Sequence, residues 1–177
     1  MHASSEQVIR TYFLLAGWYT LAASIIWGVN TLFLLDAGLG VGAVFVANAG
    51  YSIGTVLFEI PTGVLADTLG RRVSFLSSIA ILVLTTILYV ALARAGAGIG
   101  PVFITSALMG LGFTFYSGAM EAWLVDGLRF TGYDGALDAV FARGQIISGV
   151  ALLCGTVGGG ARVASGLRPP GWPFGPR

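Results

Sequence analysis

The sequence predicts an all-α integral membrane protein with five transmembrane helices, and three observations carry that prediction. The 177 residues are 56% hydrophobic and only 10% charged, with a mean hydropathy of +0.87. A soluble domain carries about 25% charged residues, so this chain lacks the means to cover a watery surface. Five apolar runs reach the length of about 20 residues that a bilayer-spanning helix needs. The charges fall mostly between those runs, and all nine basic residues are arginine.

The elements follow in order. Met1 to Arg10 reads as a short polar leader. Span one, residues 12–35, is too long for a signal-peptide core of roughly 7–15 residues. Asp36 and the Gly38-Leu39-Gly40-Val41-Gly42 cluster close it. Span two, residues 41–65, is interrupted by Glu59-Ile60-Pro61, where proline is expected to kink the helix. Span three, residues 73–93, has no glycine and consists mostly of Leu, Ile, Val and Ala, which reads as a helix with much of its surface toward lipid. Pro101 suits the first turn of span four, residues 99–122. A polar connection from Arg129 to Asp138 leads to span five, residues 141–161, with Asp138 as a candidate cap. Residues 162–177 are rich in proline and glycine and read as an irregular tail.

Arginine placement orients these spans. With the N-terminus in the cytoplasm, Arg10, Arg71, Arg72, Arg129 and Arg143 all fall at cytoplasmic ends, and before the tail only Arg94 opposes them. The positive-inside rule favours that orientation, in the plasma or inner membrane of the cell.

The most informative stretch is Gly63-Val64-Leu65-Ala66-Asp67-Thr68-Leu69-Gly70-Arg71-Arg72, which joins spans two and three. It reads as a tight reversal at a membrane surface. Gly63 is expected to permit close helix contact, Gly70 to supply the turn, and Arg71 and Arg72 to hold the connection at the cytoplasmic side. Asp67 faces the negative end of its own helix's dipole and needs compensation from elsewhere. Arg71 is one candidate, and the N-terminus of a neighbouring helix is another. Gly-x-Leu-Ala-Asp-x-x-Gly-Arg-Arg resembles the signature that the major facilitator superfamily carries between its second and third membrane helices. Every fixed position (Gly63, Leu65, Ala66, Asp67, Gly70, Arg71, Arg72) is present, in the right interval. An ordinary charged turn is the plainer alternative.

The resemblance covers residues 12–161, most of the N-terminal half of a facilitator. A complete facilitator has two six-helix halves, so residues 1–161 are expected to form a partial N-terminal domain. The tail is then read as the product of a truncation or a frameshift. A missing C-terminal half or a second copy is the implied partner, besides membrane lipids and an unidentified small-molecule substrate. In that family spans one, two, four and five line the cavity. The polar residues Asn30, Asn48, Tyr51, Ser106, Tyr116 and Gln145 are therefore cavity candidates, each with a packing role as the alternative. The resemblance also implies that an acid at the inner end of span four, Glu121 or Asp126, joins Arg71 or Arg72.

Glu59 stands apart. Eight residues before Asp67, it lies about 12 Å farther along the helix, at or inside the hydrocarbon boundary. A carboxylate there is costly unless it is paired, protonated or in water. Arg143 is the expected partner, as a proton-sensing or gating pair or as a structural ion pair.

Two departures limit the family reading. Ser106 stands where many proton-driven members carry an arginine, four residues before Gly110-Leu111-Gly112. Thr156 replaces the proline that many drug antiporters carry in span five, although the glycines of Gly155-Thr156-Val157-Gly158-Gly159-Gly160 remain, so drug export is suggested only by the latter. Enzyme classes fare poorly. The one histidine, His2, sits in the leader, so neither a histidine triad nor a multi-histidine metal site can form. With no lysine there is no Walker-type loop. Gly38 to Ala43 matches a dinucleotide pattern but lies between membrane-length runs instead of in a strand–turn–helix unit. No cofactor and no nucleic-acid partner is expected, since basic residues are not clustered. Cys154 reads as a small packing residue. The competing function class is a half-size membrane scaffold or assembly protein, associating through the small-residue pairs Gly50/Gly54 and Gly155/Gly159.

Overall fold

The computed structural model describes residues 4–164, and among them the chain is all-helical. Five helices follow in order: α1 (Ser5–Asp36), α2 (Val41–Leu69), α3 (Arg71–Arg94), α4 (Ile99–Phe130) and α5 (Leu137–Ala164). All five are long and apolar enough to cross a membrane. The irregular tail expected at residues 162–177 lies outside the described residues, except that α5 carries Arg162, Val163 and Ala164 in its last turn.

Every helix is longer than its apolar run. The expected leader is already helix: Ser4 and Gln7 form a reciprocal cap, in which the Gln7 amide donates to Ser4 Oγ (3.3 Å) and the Ser4 amide donates to Gln7 Oε1 (3.0 Å). That is the Ser-x-x-Gln capping box, which satisfies two amides the first turn would leave open. At the other end of the chain Asp138 sits inside the first turn of α5, one residue past its start, where a carboxylate favours the helix dipole. The connection between α4 and α5 is correspondingly short. Apolar length reports where lipid ends, and a helix has no reason to stop there.

Two of the turns share one chemistry. After α3, the Gly96 amide donates to the Ala93 carbonyl and the Ala97 amide to that of Leu92, with Gly96 at φ 65°. After α4, Gly132 donates to Arg129 and Tyr133 to Leu128, with Gly132 at φ 66°. Both are glycine-terminated Schellman caps.

The helices divide into two units. One comprises α1 and α5 with the last turn of α4; the other comprises α2, α3 and α4 up to Asp126. In the first, α1 and α5 run parallel and approach through glycine. A Cβ built on Gly159 would lie 2.8 Å from the Ile25 carbonyl oxygen, and one on Gly28 would lie 2.9 Å from Thr156 Cα. Gly155 approaches Leu21 and Ser24, and the Ser24 hydroxyl donates to the Leu21 carbonyl (3.0 Å) and to the Ala151 carbonyl of α5 (3.3 Å). In the second unit α2 and α4 also run parallel. A Cβ on Gly50 would lie 2.7 Å from the Phe103 carbonyl oxygen, one on Gly54 would overlap the Ala107 backbone, and one on Gly110 would lie 2.5 Å from the Tyr51 carbonyl oxygen. The two contacts repeat each other in spacing. Leu21, Ile25 and Gly28 match Phe103, Ala107 and Gly110, while Gly155, Thr156 and Gly159 match Gly50, Tyr51 and Gly54.

α3 runs antiparallel to α4, with Leu82 and Ile81 over Gly112 and Phe75 beside Tyr116 (ring centroids 6.1 Å). Its outward side, Val73, Leu76, Ile79, Val83, Leu84, Ile87 and Leu88, is wholly apolar. Its inward side is not: Ser74, Ser78, Thr85 and Tyr89 are buried. The Ser74 and Ser78 hydroxyls have no hydrogen-bond partner among the described residues.

Candidate functional site

The break between the second and third helices is narrower than its sequence implies. α2 continues through Gly63, Leu65 and Asp67 to Leu69, and α3 begins at Arg71, so Gly70 alone makes the break. Its backbone, φ 91° and ψ 150°, lies in a region essentially closed to side-chain-bearing residues. Gly63 does not mediate a close contact: a Cβ there would meet nothing within 4 Å.

Around Gly70 three charges converge. Arg71 Nη1 lies 2.6 Å from Asp67 Oδ1, and Arg71 Nε lies 3.4 Å from Asp126 Oδ2. Each charge taken alone sits at the wrong end of its helix. Asp67 and Asp126 lie near the C-termini of α2 and α4, where the dipole is negative, and Arg71 opens α3, where it is positive. Together they offset one another, and the guanidinium fork lets one arginine serve two helices. The carboxylates are well exposed and Arg71 is half-buried, so the cluster is a surface ion-pair network and contributes little static stability.

The acid that reaches Arg71 is thus Asp126, beyond the expected end of span four at residue 122. Glu121 is exposed and forms no ion pair within this unit, and Arg72 is exposed. Glu59 is also exposed, two residues before Pro61, and has no ion-pair partner within its own unit; Arg143 belongs to the other unit, where it is exposed on α5. Below Glu59, Thr62 bridges the proline region, its hydroxyl donating to the Phe58 (2.8 Å) and Glu59 (3.2 Å) carbonyls.

The cavity candidates separate. Tyr51 and Tyr116 belong to a run of aromatic contacts across α2, α4 and α3, namely Tyr51–Phe113 (6.1 Å), Phe113–Tyr116 (6.3 Å) and Phe75–Tyr116 (6.1 Å). Ser106 and Tyr116 are buried on α4. Asn30 is half-buried on α1, while Asn48 on α2 and Gln145 on α5 are exposed. Cys154 is exposed as well, which corrects its reading as a packing residue. No group of histidine, cysteine and carboxylate side chains that could hold a metal occurs among the described residues.

Sequence reasoning missed Ser24, Ser74 and Ser78. Ser74 and Ser78 are four residues apart, a small-residue spacing as legible as the glycine pairs, but the glycine-free, mostly aliphatic composition of span three points to lipid over much of its surface and draws attention away from it. The chain matches no family model, and no curated protein or solved structure matches it either.

Proposed function

We propose that this chain is part of a facilitator-type permease, most of one half, that moves a small solute across the cell membrane by alternating access. The observation that carries the reading is Arg71 shared between Asp67 and Asp126 across the Gly70 break, at the one stretch whose residues resemble the superfamily signature. An exposed three-charge cluster adds little to stability, yet it can form in one conformation and open in another at small cost. In such permeases the substrate site lies between two halves that rock against each other, so a further helical half or a second copy is the partner. The N-terminus and the Arg71 end are cytoplasmic on this reading, and there is no catalytic step. The glycines of α5 leave drug or metabolite efflux open as the direction.

The scaffold alternative draws its support from small-residue faces, and Gly50/Gly54 and Gly155/Gly159 are already occupied by contacts within the chain. The test is solute flux in proteoliposomes, combined with cysteine accessibility on both membrane faces. With the partner half present, Asp67→Asn is expected to shift the accessibility pattern between the two faces. Flux absent under all conditions, with the pattern unchanged by Asp67→Asn, would overturn the proposal.

A further inference from the structure

On α2, Asn48, Ser52 and Glu59 are exposed. At about 100° per residue they fall within roughly 40° of one another, and half-buried Thr55 joins the same stripe. Beside them lies an apolar arc containing Phe45, Val56 and Ile60, also exposed. Gly50 and Gly54, on the far side, are taken up by α4.

Depth makes the stripe unusual. The 29 residues of α2 span about 43 Å against a hydrocarbon core of about 30 Å. Glu59, ten residues before Leu69, then lies on the order of 8 Å inside the boundary when the helix is centred. Glu121 does not share that depth. The parallel register that sets Gly54 against Ala107 brings Glu121 level with Thr68, at the end of α2. Within this unit Glu59 is therefore the one charge deep in the span. The outward side of α3 shows what a lipid face looks like here, and it carries no polar residue between Val73 and Leu88. A carboxylate at the depth of Glu59 costs about 2.5–3.5 kcal/mol facing lipid, so the face that carries it meets something else.

We infer that the Asn48–Ser52–Glu59 stripe is a recognition surface for a small organic cation with an apolar body, a protonated amine or quaternary ammonium. Glu59 supplies the counter-charge, and Phe45, Val56 and Ile60 take the apolar part. The inference rests on the transporter reading and adds the class of substrate.

The test uses the 177-residue chain in lipid nanodiscs, with empty nanodiscs as background. Equilibrium dialysis compares tetraphenylphosphonium with the isosteric anion tetraphenylborate. Protein-dependent binding is expected for the cation alone. Glu59→Gln is expected to weaken it by about 10- to 100-fold, the range for losing one charged contact, while Glu59→Asp retains most of it. Because Glu59→Gln can damage folding, unmodified protein gives a second readout. Tetraphenylphosphonium should protect Glu59 from dicyclohexylcarbodiimide, read by peptide mass spectrometry. Equal binding of both ions, full binding by folded Glu59→Gln, no binding by the wild type, or no protection of Glu59 would each overturn the inference. So would recovery of Glu59→Arg by Arg143→Glu, which would make Glu59 half of an ion pair. Flux of a neutral solute without cation binding would sink this inference and spare the transporter reading. Cation binding with no flux of any solute would do the reverse.

Discussion

At Gly70 and Gly63 two glycines of one short stretch have opposite duties. Gly70 occupies a backbone conformation that a Cβ strains, so Gly70→Ala should cost about 1–3 kcal/mol. Gly63 lies inside α2 with nothing near its absent side chain, so Gly63→Ala should leave stability unchanged or raise it by up to about 1 kcal/mol. Thermal unfolding of both variants in the same detergent separates them, and a larger loss at Gly63 would contradict this assignment. The charges beside Gly70 follow a different rule. Asp67→Asn and Asp126→Asn should each cost less than about 1 kcal/mol, because the cluster is exposed. Their effects should not add, since both act through the one guanidinium, and a double-mutant cycle reads that coupling directly. Arg71→Lys should behave like a loss of one partner, because an ammonium lacks the fork that reaches two carboxylates.

At the scale of the helix, close approach dominates. Gly54→Leu on α2 and Gly159→Leu on α5 would each drive a side chain into the neighbouring backbone, and each should destabilise by about 1–3 kcal/mol or more. Ser24→Ala removes one interhelical hydroxyl bond and should cost only about 0.6 kcal/mol. Unfolding in mixed micelles checks the order, and a Ser24 effect larger than that of Gly159 would reverse it. These glycine pairs were legible in the sequence because four-residue spacing of small side chains has one main use in a membrane helix. All five helices were legible for the same kind of reason, as apolar runs of bilayer length. Their ends were not: α2 extends to Leu69 and α4 to Phe130, since hydropathy marks the lipid boundary and the helix continues past it. The Ser4–Gln7 box was readable but looked like part of a polar leader. Asp126 as the partner of Arg71 was beyond sequence reasoning, because the choice between it and Glu121 depends on how α3 and α4 meet around Gly70.

At the scale of the whole molecule the question is which surfaces meet lipid, and exposure alone does not answer it. Leu84 of α3 and Ser52 of α2 are both exposed, yet Leu84 sits in an unbroken apolar field and Ser52 between Asn48 and Glu59. A charge on a lipid-facing helix centre costs about 2.5–3.5 kcal/mol on the insertion scale, whereas one lining water costs far less. Leu84→Asp should therefore sharply reduce the membrane-inserted fraction, and Ser52→Asp should leave it nearly intact. Chemical labelling gives an independent view. Cys154 is exposed and would compete for reagent, so it is first replaced by alanine. In that background a cysteine at position 52 should react with a membrane-impermeant, water-soluble maleimide from at least one side. A cysteine at position 84 should stay silent until detergent is added. Equal silence at both positions would place the α2 stripe in lipid or in a dry interface. That outcome would count against the water-lined face that the proposed transport function draws on.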